Sequence, residues 1–174
     1  MNADELRAAL DATADHLRGQ NVTARVYIVG GTAIALAYDG ERVTRDIDGL
    51  ILEGYGPLTE AVRVVGRQLG LPGSWLNEQA SAYLPTSQDR RGIVVFDNPS
   101  LRVIAASADR LLAMKVRSAR QTDLADIVLL TDHLGLRTPE DVFAVVRTVF
   151  PDDPVPERGR LIVEDLLAES PTSS

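Results

Sequence analysis

A chain of 174 residues, 45% hydrophobic and 25% charged, suits one soluble domain of ordinary size with a real core and a small helical appendage. The absence of cysteine excludes disulfides and thiolate zinc sites, and a net charge of −7 argues against coating nucleic acid through a broad basic face. No apolar run approaches the ~20 residues that cross a bilayer, and the opening MNADELRAAL lacks a secretory pattern, so the expected compartment is the cytoplasm with no membrane partner.

The first element is a helix over 3–18, with Leu6, Leu10 and Leu17 at helical spacing, acids early and Arg18 late. Arg25–Val29 is β-branched and aromatic and reads as a strand running into Gly30-Gly31. A short buried helix follows over 32–38, ended by the Asp39-Gly40 turn signal. A second strand is expected over Asp46–Leu52, and Pro57 opens a helix through Leu69, stopped by Gly70. The stretch 74–92 has no clear period, with Trp75 and Tyr83 as expected packing anchors. Two strands, Ile93–Phe96 and Leu101–Ala105, are joined by the turn-prone Asp97-Asn98-Pro99-Ser100. From Asp109 the pattern is helical over 109–119, 123–134, 139–148 and 158–168, and the SPTSS tail reads as frayed. This order predicts an α/β (α+β) fold with its sheet in residues 25–105, divided as a core over 1–105 and a helical part over 106–174.

Three features carry chemistry. In a strand, Asp46 and Asp48 project from one face while Ile47 points to the other. Two adjacent carboxylates repel, and a divalent cation resolves the conflict; Mg²⁺ is typically held by one or two carboxylates together with substrate phosphates. The bland alternative is a solvent-facing strand start that carries two acids. The second feature is the Gly30-Gly31 turn, where a strand enters a helix: free N–H groups and the lack of Cβ suit a phosphate, and Thr32 adds a hydroxyl. A tight connection needing positive φ explains the glycines equally well. The third is Lys115, the one lysine among 18 basic residues, set in an apolar segment where its charge needs a partner. A GC-rich genome alone explains the arginine excess, but the surviving ammonium is a different chemical tool from a guanidinium.

Val29-Gly30-Gly31-Thr32-Ala33 through Arg42-Val43-Thr44-Arg45-Asp46-Ile47-Asp48 resembles the motif of the polymerase-β-type nucleotidyltransferase superfamily. The string Thr44-Arg45-Asp46-Ile47-Asp48 looks more narrowly like the AbiEii/MenT-type toxins of bacterial toxin–antitoxin systems. Leu111-Leu112-Ala113-Met114-Lys115 and Arg120-Gln121-Thr122-Asp123-Leu124-Ala125-Asp126 resemble that family's helical lysine and acidic element. The resemblance implies a small mixed sheet flanked by helices, with helices after it completing the site. It further implies Mg²⁺ (or Mn²⁺) on Asp46 and Asp48, and a nucleoside triphosphate held by Gly30, Gly31, Thr32, Thr44, Arg45 and Lys115. Asp123 would orient or accept a proton. The implied acceptor is the 3′ end of tRNA, with pyrimidine donors expected and a cognate antitoxin as partner; a small molecule or a protein side chain is the alternative acceptor. From the other direction, Asp123 and Asp126 read as an N-cap and its N3 partner.

Some positions depart from the pattern or stand outside it. Gly49 follows the Asp-x-Asp where an apolar residue is commoner, which predicts a loosened strand. No third carboxylate is evident: Asp97 is the one candidate, but its place in Asp97-Asn98-Pro99-Ser100 favours a capping role, and a regular strand turns Glu53 to the opposite face. Arg110, Lys115, Arg117 and Arg120 read either as an RNA-facing group or as solvated charges, while Arg42, Arg45, Arg117 and Arg120 are the expected RNA contacts. His16 and His133 are too separated in pattern for zinc, and no P-loop, Gly-x-Ser-x-Gly or GxGxxG string occurs. A non-catalytic binding or antitoxin module of the same fold is the rival reading, and retention of both carboxylates and Lys115 favours the enzyme.

Overall fold

The computed structural model describes residues 1–168; the SPTSS tail, expected to fray, lies outside the described residues. The elements run α1 (Ala3–Gly19), β1 (Ala24–Val29), α2 (Gly30–Ala37), β2 (Ile47–Glu53), α3 (Tyr55–Leu69), β3 (Leu76–Asn77), β4 (Ile93–Asn98), β5 (Leu101–Ala105), α4 (Ala108–Ser118), α5 (Leu124–His133), α6 (Pro139–Val149) and α7 (Glu157–Ala168). This is the expected mixed α/β fold, and its helices beyond residue 107 form the C-terminal helical part. No described helix is long and apolar enough to cross a membrane. The chain forms two compact units, Met1–Ala82 with Arg91–Ala106, and Tyr83–Arg90 with residues 107 onward.

The first unit is built on a five-stranded sheet of order β3-β2-β1-β5-β4. Strand β1 pairs antiparallel with β2 and parallel with β5, while β4 runs antiparallel to β5 and β3 parallel to β2. Val26, Tyr27, Ile28 and Val29 are all buried, so both faces of β1 are covered, as befits a central strand. Helix α1 opens with an Asn2–Glu5 capping box and turns Leu6, Leu10 and Leu17 inward against α3.

The patternless stretch after α3 conceals a two-residue strand. Trp75 is fully buried, its indole Nε1 donates to Val62 O at 2.8 Å, and its carbonyl accepts from Ile47 N at 2.6 Å. That anchor sets the register of β3, placing Asn77 opposite Asp48. Tyr83, the other expected anchor, is 73% exposed: it ends a 3₁₀ turn, Gln79–Tyr83, that has no buried residue. Strand β4 continues through Asp97 and Asn98, so the connection to β5 is confined to Pro99-Ser100.

Gly49 does not loosen β2. It pairs with Ile28, and a Cβ there would lie 2.8 Å from Tyr27 O. The backbones approach so closely that no larger residue fits, which is the physical reason for the departure from the expected apolar side chain.

In the second unit, α4 packs against α5, α6 and α7 through Leu111, Leu112, Val116, Ile127, Leu130, Val142, Phe143, Val146 and Val163. Helix α6 starts at a Thr138–Asp141 capping box with Pro139 in its first turn. The segment 83–90 is tied to the start of α4 by buried polar contacts: Arg110 donates to Ser87 O at 2.7 Å and lies 3.7 Å from Asp89, and the Asp89 carboxylate accepts Ser107 N–H at 2.9 Å.

Candidate functional site

In the first unit the chemistry gathers at one end of the sheet. Gly30 ends β1 with φ +66, a left-handed conformation that costs other residues about 1–2 kcal/mol, and α2 begins there. Its neighbour across the ladder is Asp48, paired with Val29. A Cβ on Gly30 would lie 3.6 Å from Asp48 Oδ2, and one on Gly31 would meet Thr44 Oγ1 at 3.4 Å and Arg42 Nε at 3.7 Å. The glycine turn is therefore flanked by a carboxylate on one side and by a hydroxyl and a guanidinium on the other. Arg42 was expected only as an RNA contact; no linear pattern showed that the Asp39–Thr44 loop folds back on Gly31.

The two threonines act on the main chain. Thr32, 1% exposed, donates from Oγ1 to Asp46 O, and Thr44 Oγ1 donates to the same carbonyl at 3.0 Å. Together they pin the residue that leads into β2. Asp46 precedes the strand instead of opening it, Ile47 is fully buried, and Asp46 and Asp48 are half-buried, so the alternation expected of Asp-x-Asp is kept. The Asp46 carboxylate accepts from Asn77 Nδ2 at 3.3 Å. Arg45 is exposed.

No third carboxylate joins this pair from β4 or β2. Asp97 pairs with Arg102, which is level with Arg25, whereas Asp48 is level with Val29 at the other end of β1. Four residues of strand, roughly 13 Å, separate the two levels. Glu53 sits at the Arg25 end as well, in an ion pair of 2.6 Å with that arginine. Among the described residues there is no group of three or more His, Cys, Asp or Glu that could hold a metal by itself. The donor set is thus two carboxylates beside a glycine turn. It fits a hard cation shared with substrate phosphates, the usual arrangement for Mg²⁺, and does not fit an all-protein cage.

In the second unit, Lys115 on α4 reaches Asp123 at 2.6 Å and Asp126 at 2.9 Å. The two carboxyl side chains are 5% and 1% exposed, the lysine 16%. Burial opposes the charge of Asp123, but hydrogen bonds from Lys115 and Ser118, the Lys115 charge and the Arg120 N–H outweigh it and hold the carboxyl below its usual range. Asp123 makes no side-chain cap to α5 and instead closes the 3₁₀ turn Gln121–Asp123 through Arg120 N–H. Asp126, read from sequence chiefly as a cap partner, is a full member of this ion cluster.

The basic group expected to face RNA is divided in its roles. Arg110 is 7% exposed and bound to Ser87 and Asp89, and Lys115 is committed to the carboxylates. Arg117 pairs with Asp153 and stacks 4.2 Å over Phe150. Arg120 is exposed. His16 is half-buried beside Gln20 and His133 is exposed.

No curated protein matches the chain. One family model spans α1 through α5 and so takes in the glycine turn, both strand carboxylates and the Lys115 cluster. Its match over residues 5–134 covers most of the sequence, and the chain belongs to the family it describes, a nucleotidyltransferase of unknown function (DUF6036).

Proposed function

We propose that the protein transfers a nucleoside monophosphate from a nucleoside triphosphate to an acceptor hydroxyl in a metal-dependent reaction: the hydroxyl oxygen, losing its proton, bonds to the α-phosphorus as the bond to the β-phosphate breaks and pyrophosphate leaves. The observation that carries this reading is the placement of the Asp48 carboxylate against the Gly30 turn, with Asp46 two residues before it and Arg42 on the other flank. Asp46 and Asp48 would hold Mg²⁺ or Mn²⁺, which when bound supplies charge neutralisation at the phosphates. The chain's own groups do the positioning. Gly30 and Gly31 let the triphosphate approach the backbone N–H groups at the start of α2, where partial positive charge favours it. Arg42 contributes a fixed cation beside them. Thr32 and Thr44 serve by locking the Asp46 main chain, a positioning role in place of direct phosphate contact for Thr32. Catalysis of this kind is mostly orientation and charge stabilisation, and needs no protein nucleophile.

The acceptor we propose is the 3′ end of tRNA, with the protein acting as the toxin of a toxin–antitoxin pair. The support is the similarity of Thr44-Arg45-Asp46-Ile47-Asp48 to AbiEii/MenT-type toxins, together with exposed Arg45 next to the carboxylates. The test is incubation with total tRNA, Mg²⁺ and each labelled triphosphate in turn. Labelled tRNA is expected, falling steeply as salt rises because the RNA contacts are electrostatic. Label on a small molecule or a protein instead would keep the transferase and remove the toxin. No label on any acceptor and no triphosphate binding would leave a non-catalytic module.

A further inference from the structure

Asn77 lies on β3 directly opposite Asp48 and gives its amide hydrogen to Asp46 Oδ2 at 3.3 Å. Its orientation is unambiguous. Oδ1 accepts from Gln79 N–H at 2.9 Å, and Nδ2 also donates to Ser74 O at 3.3 Å. Flipping the amide would set oxygen against the Ser74 carbonyl and NH₂ against the Gln79 N–H, losing both bonds. The amide nitrogen is therefore held toward the carboxylate by main-chain groups on either side, and β3 itself is held by the buried Trp75.

We infer that Asn77 is a positioning residue for Asp46, fixing the carboxylate for a divalent cation without neutralising it. This inference rests on the metal-dependent reading above. The residue type is the argument. A lysine or arginine at this place would cancel the charge that attracts the cation, as Lys115 does for its own carboxylates. An aspartate would add a third negative group and push Asp46 away while no cation is bound. A neutral donor occupies one carboxylate oxygen, restricts its rotation and leaves the full negative charge in place. Asn77 thus performs the outer-sphere function that orients a metal ligand, and it comes from a strand that sequence periodicity does not reveal.

The experiment is Mn²⁺ titration of the full chain followed by electron paramagnetic resonance, with thermal melts in parallel, for wild type, Asn77→Ala and Asn77→Asp. Removing the donor in Asn77→Ala should weaken Mn²⁺ binding about tenfold or more. Asn77→Asp keeps an acceptor for Gln79 N–H but loses the bond to Ser74 O and sets an oxygen against that carbonyl, so its Tm without Mn²⁺ should fall below wild type. Its third carboxylate should tighten Mn²⁺ uptake and give a larger Mn²⁺-induced rise in Tm than wild type shows. If Asn77→Ala does not fold, Asn77→Asp decides the matter alone. A role confined to the turn would lower Tm in both variants and leave the Mn²⁺ affinity of the folded protein unchanged, which overturns the inference while the metal site stands. A wild-type chain that takes up no Mn²⁺ overturns the metal reading and this inference with it.

Discussion

The two pairs of acids in this protein are set in different surroundings. Asp123 and Asp126, three apart at the start of a helix, converge on Lys115 at 2.6 and 2.9 Å, and Ser118 and the Arg120 N–H also donate to Asp123. Buried charges require such partners, and this cluster supplies them from within. Asp46 and Asp48, two apart at the start of β2, are set differently: the Asn77 amide donates to Asp46, and Asp48 faces the Gly30 turn. The neutral Asn77 amide orients the Asp46 carboxylate but leaves its charge. The helical pair is held by a cation of the chain itself, whereas the proposed chemistry gives the strand pair a metal ion beside the glycine turn.

The sharpest way to break the comparison is to remove the strand carboxylates. Asp46→Ala and Asp48→Ala should each lower nucleotide transfer by on the order of 10³-fold, the several kcal/mol that a bound cation contributes to the transition state. Their melting temperatures should stay near wild type. Wild-type transfer at saturating Mg²⁺ in either variant would place the cation elsewhere. The converse holds for the helical pair: Lys115→Ala leaves two buried carboxylates uncompensated and should cost about 3–5 kcal/mol of stability by denaturant unfolding. A Lys115→Ala variant with unchanged stability would show that the ammonium is not the keystone of that cluster.

Smaller effects sharpen the account. Gly49→Ala places a Cβ 2.8 Å from Tyr27 O and should destabilise the first unit by about 1–3 kcal/mol, read as a lowered Tm. An unchanged Tm would mean that β2 shifts freely, and then Asp48 is not rigidly placed. The smallest expected effect is a pH dependence. Because the Asp123 carboxyl is held below its usual range, its contribution to stability is complete above the unfolded-state pKa of about 3.9 and is lost as pH falls through the lower folded value. The Tm gap between wild type and Asp123→Asn should therefore be widest above pH ~5 and narrow as pH falls below ~4. A gap that is constant with pH would assign the loss to packing alone.

Much of this was legible in the sequence, for identifiable reasons. The continuous apolar run of β1, the alternation of β5 and the helical period of α1, α3, α4 and α6 are strong, and Gly-Gly and Asp-x-Asp are local strings, the second with a geometry that follows from strand alternation. What escaped was non-local. Strand β3 is two residues long and exists because Trp75 is anchored on α3, so no periodicity marks it or Asn77. The Asp39–Thr44 loop returns to Gly31 through tertiary packing, which moves Arg42 from an expected RNA contact to the flank of the turn. Asp97, the one candidate for a third carboxylate, is placed by strand register at the Arg25 end of β1, away from Asp48, which no local string reveals. Asp126 has the spacing of a cap partner, and only the fold of α4 against α5 brings it to Lys115.

The most direct test of the central claim is calorimetric titration of each nucleoside triphosphate into wild type, Asp46→Ala and Asp48→Ala, with Mg²⁺ and with EDTA. The account predicts that wild type binds at least one triphosphate in Mg²⁺, that EDTA removes most of that binding, and that neither variant responds to Mg²⁺. Triphosphate binding that is equal in all three proteins and indifferent to EDTA would contradict it.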